Sequence, residues 1–280
     1  MRDRFGVGGS GLAAARALIA GGATISAWDD SFASRESARA AGIPLVDLND
    51  ADWSSFSALV LAPGVPLTHP VPHWTVVKAN ESGIPIIGDL EIFERERALR
   101  APSTRLVAIT GTNGKSTTTA LVAHVLRALG ERVGLGGNIG RAVLDLDDLE
   151  NANVYSIEYS SYQIDLTPSI KPDAGILLNL TPDHLDRHGD MAHYAEVKSR
   201  LVQSAALHGA AIIGADDQFC RDIADKIELS GQKVLRVSVE KPVSYGVFVK
   251  DGTLYDAIDD NEFTVGDLAG CDALRGAHNW

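Results

Sequence analysis

An α/β fold in two domains, each built on a mainly parallel sheet, is predicted by three observations. Short apolar, strand-like runs alternate with helical stretches along the chain. Two glycine-rich turns separate such a run from a helix. The length of 280 residues suits about two domains.

The first domain, expected over 1–98, opens with GVGGSGLAAARAL, where Gly6, Gly8 and Gly11 form GxGxxG before an Ala-rich helix and only residues 4–7 remain for a first strand. Asp29 and Asp30 follow roughly 20 residues on, where a Rossmann-like dinucleotide fold carries its ribose-binding acid. The same turn can hold any diphosphate. Strands are expected at ATISAW (23–28), ALVLAP (58–63) and IPIIGD (84–89), giving a small parallel sheet. LAPGVPLTHP (61–70) is a second turn after a strand, either closing over the same ligand or turning the chain with no ligand. The polar, Pro-containing stretch 95–105 reads as a linker.

The second domain, expected over 99–280, begins with LVAITGTNGKSTTT at 106–119, which runs from an apolar strand through a glycine turn into a helix. Backbone N–H groups of that turn and the open helix N-terminus suit polyphosphate oxygens, with Lys115 reaching the outer phosphates and Ser116 Oγ offering a ligand to Mg²⁺. Gly111 and Gly114 enclose only Thr112 and Asn113, against four residues in the usual Walker pattern. Leu121, Val122, Val125, Leu126 and Leu129 give the following helix one apolar face. Further strands are expected at RLVAIT (105–110), VYSIEYS (154–160), AGILLNL (174–180), GAAIIGA (209–215) and KVLRVSV (233–239). YGVFVKDGTLYDA carries a hairpin turn at Asp251 and Gly252.

Composition narrows the function classes. Lys and Arg number 25 against 37 Asp and Glu, and the net charge of −12 argues against a general nucleic-acid or anionic-membrane surface. Cys220 and Cys271 show no metal-ligand spacing and read as reduced thiols. The start MRDRFGVGG lacks an apolar signal region and no run approaches membrane-spanning length, so a cytoplasmic location is expected.

Downstream of the phosphate turn, Glu158 ends a strand, His184 lies just after another, and Lys198 falls in a helix. Strand ends are where α/β sheets place ligands, and a carboxylate near phosphates is what Mg²⁺ needs besides Ser116. Glu158 reads either as that ligand or as a surface acid. His184 and His188, with Asp183 and Asp186, form either a metal-holding cluster or, the simpler reading, a loop of capped side chains. Taken alone, Lys198 reads as a solvated helix lysine.

TGTNGKSTTT, then GGNIG (136–140), EYSSYQ (158–163) and NLTPDHLDRHG (179–189), in that order and spacing, resemble the Mur ligases, and most of all the branch that adds D-glutamate. The resemblance implies a Rossmann-like first domain and a P-loop-type central ATPase domain. It implies ATP on Gly111, Thr112, Asn113, Gly114, Lys115, Ser116 and Thr117, with Asn279 on the adenine. Mg²⁺ would be ligated by Ser116, Glu158, His184 and a carbamylated Lys198; Lys115, Glu158, His184 and Lys198 would be the catalytic group. Gly8, Gly9, Ser10, Gly11, Leu12, Asp29, Pro63, Gly64 and Val65 would hold a UDP-linked substrate, so NAD is not expected, and Asn138 would contact its muramoyl part.

The implied partners are UDP-N-acetylmuramoyl-L-alanine and D-glutamate, joined through an acyl phosphate by a monomeric enzyme. Members carry a third domain, whereas this sequence stops at LRGAHNW; both ends look truncated, and the chain alone is expected to be weakly active or inactive. Two other readings stay open at this stage: another Mur-like or folylpolyglutamate-type ligase sharing the GTNGK loop, and a non-catalytic nucleotide-binding fragment.

Overall fold

The computed structural model describes residues 10–146, 152–259 and 261–268. Gly6, Gly8, Gly9, Cys271 and Asn279 lie outside the described residues.

In the first domain, α1 spans Ser10–Ala20, and α2 (Phe32–Ala40) is capped by Ser31, whose side chain accepts from Ser34 N. β1 (Leu59–Val60) is followed by α3 (Trp74–Glu81), capped by His73, and by β2 (Ile86–Ile87), which pairs parallel with β1. The strand expected at 23–28 contributes one parallel bridge, Ala27 to Leu45. Trp53 anchors a small core with Leu48 and Ala79, its indole N–H donating to Leu48 O at 2.9 Å.

The stretch expected as a linker is instead mostly helix. α4 (Asp89–Arg100) carries Asp89 and Glu91 in its first turn and Arg97 and Arg100 in its last, which suits the helix dipole. Its charges pair along the helix as Glu91–Arg95, Glu94–Arg97 and Glu96–Arg100. Leu90 and Phe93 enter the main core beside the buried Glu94 and Arg97, and Phe93 meets Tyr155 edge-on at 5.0 Å. Arg97 is buried and donates to the carbonyls of Thr104 (2.8 Å) and Lys171 (3.0 Å), tying α4 to the next domain.

The second domain follows in the order β3 (Arg105–Thr110), α5 (Lys115–Ala128), β4 (Val133–Gly137), β5 (Val154–Glu158), α6 (Ser161–Asp165), β6 (Ala174–Leu177), α7 (Leu185–His188), α8 (Met191–His208), β7 (Ala210–Gly214), α9 (Gln218–Leu229), β8 (Val234–Ser238), β9 (Gly246–Lys250), β10 (Thr253–Asp256) and β11 (Phe263–Asp267). The strands form one sheet, β11-β10-β9-β8-β7-β6-β3-β5-β4. Pairing is parallel from β4 to β9 and antiparallel across β9, β10 and β11. The expected hairpin turn is present, with Asp251 and Gly252 at φ 50° and 77°.

After β3 the chain builds β4 and β5 on one side and β6 onward on the other, the kind of reversal whose strand carboxyl ends, here those of β3, β5 and β6, suit ligands in open α/β sheets. Register aligns Ile109, Glu158 and Gly137 in one row there. β5 is buried along its whole length, with α5 packed on it, while α8 covers the neighbouring β6 and β7. The helix expected after the phosphate turn is α5, but it packs on a different face. Thr119 and Ala123 are buried, whereas Leu121, Val125 and Leu129 are 50%, 47% and 76% exposed. Small residues let α5 lie close to the sheet, close enough for Ser156 Oγ to donate to Thr119 O at 3.0 Å.

Candidate active site

The phosphate turn is shaped by two glycines, Gly111 at φ 151° and Gly114 at φ 83°, the latter leading directly into α5. A Cβ on Gly111 would stand 3.0 Å from Leu178 Cβ, so position 111 needs glycine for space as well as for its backbone. No side chain caps α5, which leaves its first-turn N–H groups open to an anion. Lys115 Nζ folds back onto Thr112 O at 2.7 Å, within its own turn.

The turn is gripped from outside by the segment after β6. Thr112 N donates to Asn179 O (2.9 Å) and Asn113 N to Asn179 Oδ1 (2.9 Å), while Asn179 Nδ2 returns a bond to Asn113 O (3.1 Å). Thr181 N donates to Thr112 Oγ1 at 3.0 Å, and Tyr194 OH lies 3.2 Å from the same hydroxyl. Asp217 steadies this segment, accepting from Leu180 N with one oxygen and from Cys220 N, at the start of α9, with the other. Asn179, Thr181, Tyr194 and Asp217 were not singled out from the sequence, because each finds its partner far along the chain.

Glu158, buried at the end of β5, accepts from Ser116 Oγ at 2.7 Å and from Asn138 Nδ2 at 3.0 Å. The expected hydroxyl and carboxylate are therefore side by side, and Asn138 shares the carboxylate. Lys198 is also buried, 1% exposed, and donates to Gly111 O (2.9 Å) and Thr110 Oγ1 (3.1 Å). Burial first, and then the charge of Lys115, depress its pKa to about 7. It is not the solvated lysine that its helical setting alone suggested.

His184 stands apart from these groups. It caps α7 at φ 52°, its side chain is 50% exposed, its ionic partner is Asp183 at 3.4 Å, and its ring lies 5.1 Å from that of Tyr162. His188 is buried, bonds Ser161 Oγ at 2.8 Å and stacks on Tyr162; burial first, and then His193 and Lys198, lower its pKa to about 4. Among the described residues no group of three or more His, Cys, Asp or Glu side chains is close enough to hold a metal.

In the first domain, Ser10, Gly11 and Leu12 form the first turn of α1. Asp29 accepts from Ser31 N (2.8 Å), at the entry to α2. Asp30 takes His73 Nε2 (2.8 Å), Trp28 Nε1 (3.2 Å) and Trp74 Nε1 (3.4 Å). Partial burial works upward on its carboxyl, but these donors outweigh it and hold the pKa below the usual carboxylate value. Pro63, Gly64 and Val65 form a turn whose Gly64 O accepts from Arg187 Nη1 at 2.9 Å, bringing it against the second domain. No helix among the described residues is long and apolar enough to cross a membrane.

Residues 109–265 match the Mur ligase middle domain family. The chain is 55% identical over 275 residues to a UDP-N-acetylmuramoylalanine--D-glutamate ligase of Rhizobium meliloti (strain 1021), covering 98% of this chain and 59% of that protein. It is likewise 55% identical to a ligase of the same name from Agrobacterium fabrum (strain C58 / ATCC 33970), covering 98% and 58%. The chain thus spans about 59% of the length of the curated relatives it matches. Among solved structures, its fold is similar to UDP-N-acetylmuramate:L-alanyl-gamma-D-glutamyl-meso-diaminopimelate ligase from Neisseria meningitides, at TM-score 0.57 and 20% identity over 98% of this chain and 87% of that one. It is also similar to a UDP-N-acetylmuramoyl-L-alanyl-D-glutamate--2,6-diaminopimelate ligase, at TM-score 0.53 and 18% identity over 79% and 57%.

Proposed function

This chain belongs to the Mur ligase family, and from that premise we propose that it serves ATP-dependent addition of D-glutamate to UDP-N-acetylmuramoyl-L-alanine, a step of peptidoglycan synthesis in the cytoplasm. The observation that carries the reading is the juxtaposition of an open helix N-terminus, Lys115, and the Ser116–Glu158–Asn138 group at one end of the sheet. The names of relatives at 55% identity supply the choice of amino acid. A monomer is the assembly proposed.

In this reading ATP phosphates lie along the backbone of 111–117, and Lys115 swings from Thr112 O to the outer phosphates. The adenine side would include Asn279. Ser116 and Glu158 offer two hard oxygen donors 2.7 Å apart, which suits Mg²⁺. When bound, the ion would neutralise charge on the transferred phosphoryl group. His184 is the further ligand the resemblance implies.

With a pKa of about 7, Lys198 is largely neutral just above neutral pH, and only the neutral amine adds to carbon dioxide. The amine nitrogen would bond to the carbon of carbon dioxide as one C=O electron pair moves onto oxygen, a proton would pass to solvent, and the neutral amine would become an anionic carbamate suited to a second Mg²⁺. The muramoyl-alanine carboxylate attacks the terminal phosphorus, giving acyl phosphate and ADP. The D-glutamate amine then displaces phosphate to form the amide. Lys115 and the turn amides stabilise the charge that develops during transfer. The first-domain turns at 8–12 and 63–65, with Asp29, hold the uridine diphosphate part.

The test is a calorimetric titration with UDP-N-acetylmuramoyl-L-alanine in the presence of MgADP, with UDP alone as control. Binding that requires the muramoyl-alanine part supports the proposal. MgADP binding without any response to the muramoyl compound removes the substrate assignment.

A further inference from the structure

We infer that Arg187 is a positioning residue that registers the first-domain turn at Pro63, Gly64 and Val65 against the phosphate-side loop; the substrate part of this inference rests on the reading above. Arg187 is the third residue of α7, which follows the segment gripping the phosphate turn. Its Nη1 donates to Gly64 O at 2.9 Å, 123 residues away in sequence.

The guanidinium is not free to wander. It lies over the Tyr162 ring, 4.8 Å from the centroid, and Tyr162 follows Glu158 through the short β5–α6 connection. That ring is itself fixed by stacking on His188 at 5.3 Å, with planes 9° apart. A planar guanidinium held on an aromatic face directs its N–H fork in one plane, which a flexible ammonium does not do. One side chain on α7 thus joins two further segments, the start of α6 and the first-domain turn.

A second observation places the same two surfaces together. Gly189, at φ 83°, ends α7 directly beneath the first domain, and a Cβ there would stand 3.0 Å from His69 Nε2. The turn itself is closed by Val65 N donating to Ala62 O at 2.9 Å, which leaves Gly64 O turned out towards the guanidinium. Fixing that carbonyl fixes the turn backbone relative to Glu158. The distance between a ligand in the first domain and the phosphates in the second is then set by Arg187.

Hydrogen–deuterium exchange and calorimetry on Arg187→Met and Arg187→Lys test this. Without any ligand, exchange in peptides covering 61–68 is expected to rise about tenfold in Arg187→Met, as for a charged hydrogen bond lost, and less in Arg187→Lys, with peptides covering 105–119 unchanged. Unchanged exchange at 61–68 overturns the inference whatever the substrate. For the substrate part, affinity for UDP-N-acetylmuramoyl-L-alanine is expected to fall about tenfold in Arg187→Met, partly regained in Arg187→Lys, while MgADP affinity stays within about twofold. Equal muramoyl affinity across the three proteins overturns the positioning of substrate. A wild-type chain that binds MgADP but no muramoyl compound defeats the proposed function instead, and the exchange measurement still decides the role of Arg187.

Discussion

Lys198 Nζ lies 2.9 Å from the Gly111 carbonyl oxygen, so an almost fully buried amine is bonded to the first glycine of the phosphate turn. Burial and the nearby Lys115 place its folded-state pKa at about 7, below the 10.5 of an unperturbed lysine. The unfolded chain therefore binds more protons between those values, and stability contributed at this position rises with pH across that window and is flat below it. Lys198→Met removes the titration. The urea midpoint of the wild-type chain is expected to gain on that of the variant from pH about 7 to about 10. Parallel profiles would show that Lys198 is not held neutral.

Asn179 substitutes for a strand partner by bonding both the N–H and the C=O of Asn113. Asn179→Ala removes both bonds, for a cost of about 1–2 kcal/mol in urea unfolding. Because the bonds fall on the phosphate turn, nucleotide affinity should drop by more than global stability alone accounts for. Calorimetry with MgADP, at a temperature where the variant is fully folded, measures it. Wild-type affinity in Asn179→Ala would mean that the turn holds its shape without the grip.

What could be read from the sequence and what could not divide on physical grounds. β3, the phosphate turn and α5 were legible because an apolar run, a glycine turn and a helical period are all local signals. β4 was not expected, because three of the five residues of Val133–Gly137 are glycine and strand propensity disappears. The packing that hides this strand also requires it. A Cβ at Gly134 would fall 2.3 Å from the Tyr155 ring, and one at Gly137 2.4 Å from Glu158 O. β11 was likewise not expected. α4 passed for linker because its dense acids and bases read as polar chain, whereas Glu94 and Arg97 pair with each other and are buried beside Leu90 and Phe93. Asn179 and Arg187 act on partners 66 and 123 residues away, which no window on the chain contains.

The buried pair Arg97–Glu94, at 3.0 Å, also holds Tyr159, whose hydroxyl donates to Glu94 at 3.1 Å. Arg97→Met would leave a carboxylate without its cation and is expected to cost about 3 kcal/mol or more. Burial already holds the Glu94 carboxyl above its usual pKa, with Arg97 the main opposing influence. Without Arg97 the folded chain takes up a proton there more readily than the unfolded chain. The loss should therefore shrink as pH falls through that raised folded-state value. In a double-mutant cycle, Arg97→Met with Glu94→Leu should cost at least about 1 kcal/mol less than the two single losses together. Additive losses would mean that the two side chains act independently.

Gly137 meets two demands at once, a positive φ and a close approach, of which Gly140 meets only the first. Gly137 ends β4 at φ 98°, directly opposite Glu158, and a Cβ would overlap both Glu158 O and Ile157 Cγ2, at 2.4 and 2.8 Å. Gly140 also has positive φ, at 65°, but a Cβ there would meet nothing within 4 Å. Gly140→Ala should therefore cost only the backbone strain, about 1–2 kcal/mol. Gly137→Ala adds an overlap with backbone that cannot rotate away, of about 1–3 kcal/mol. The extra displacement would fall on the next residue, since Asn138 reaches Glu158 through both its N–H and its side-chain amide, each at 3.0 Å. Gly137→Ala is thus expected to lower the urea midpoint more than Gly140→Ala and to weaken magnesium-dependent nucleotide binding, while Gly140→Ala spares it. Equal losses in the two variants would place the whole requirement in backbone conformation and remove the role assigned to the close approach at Glu158.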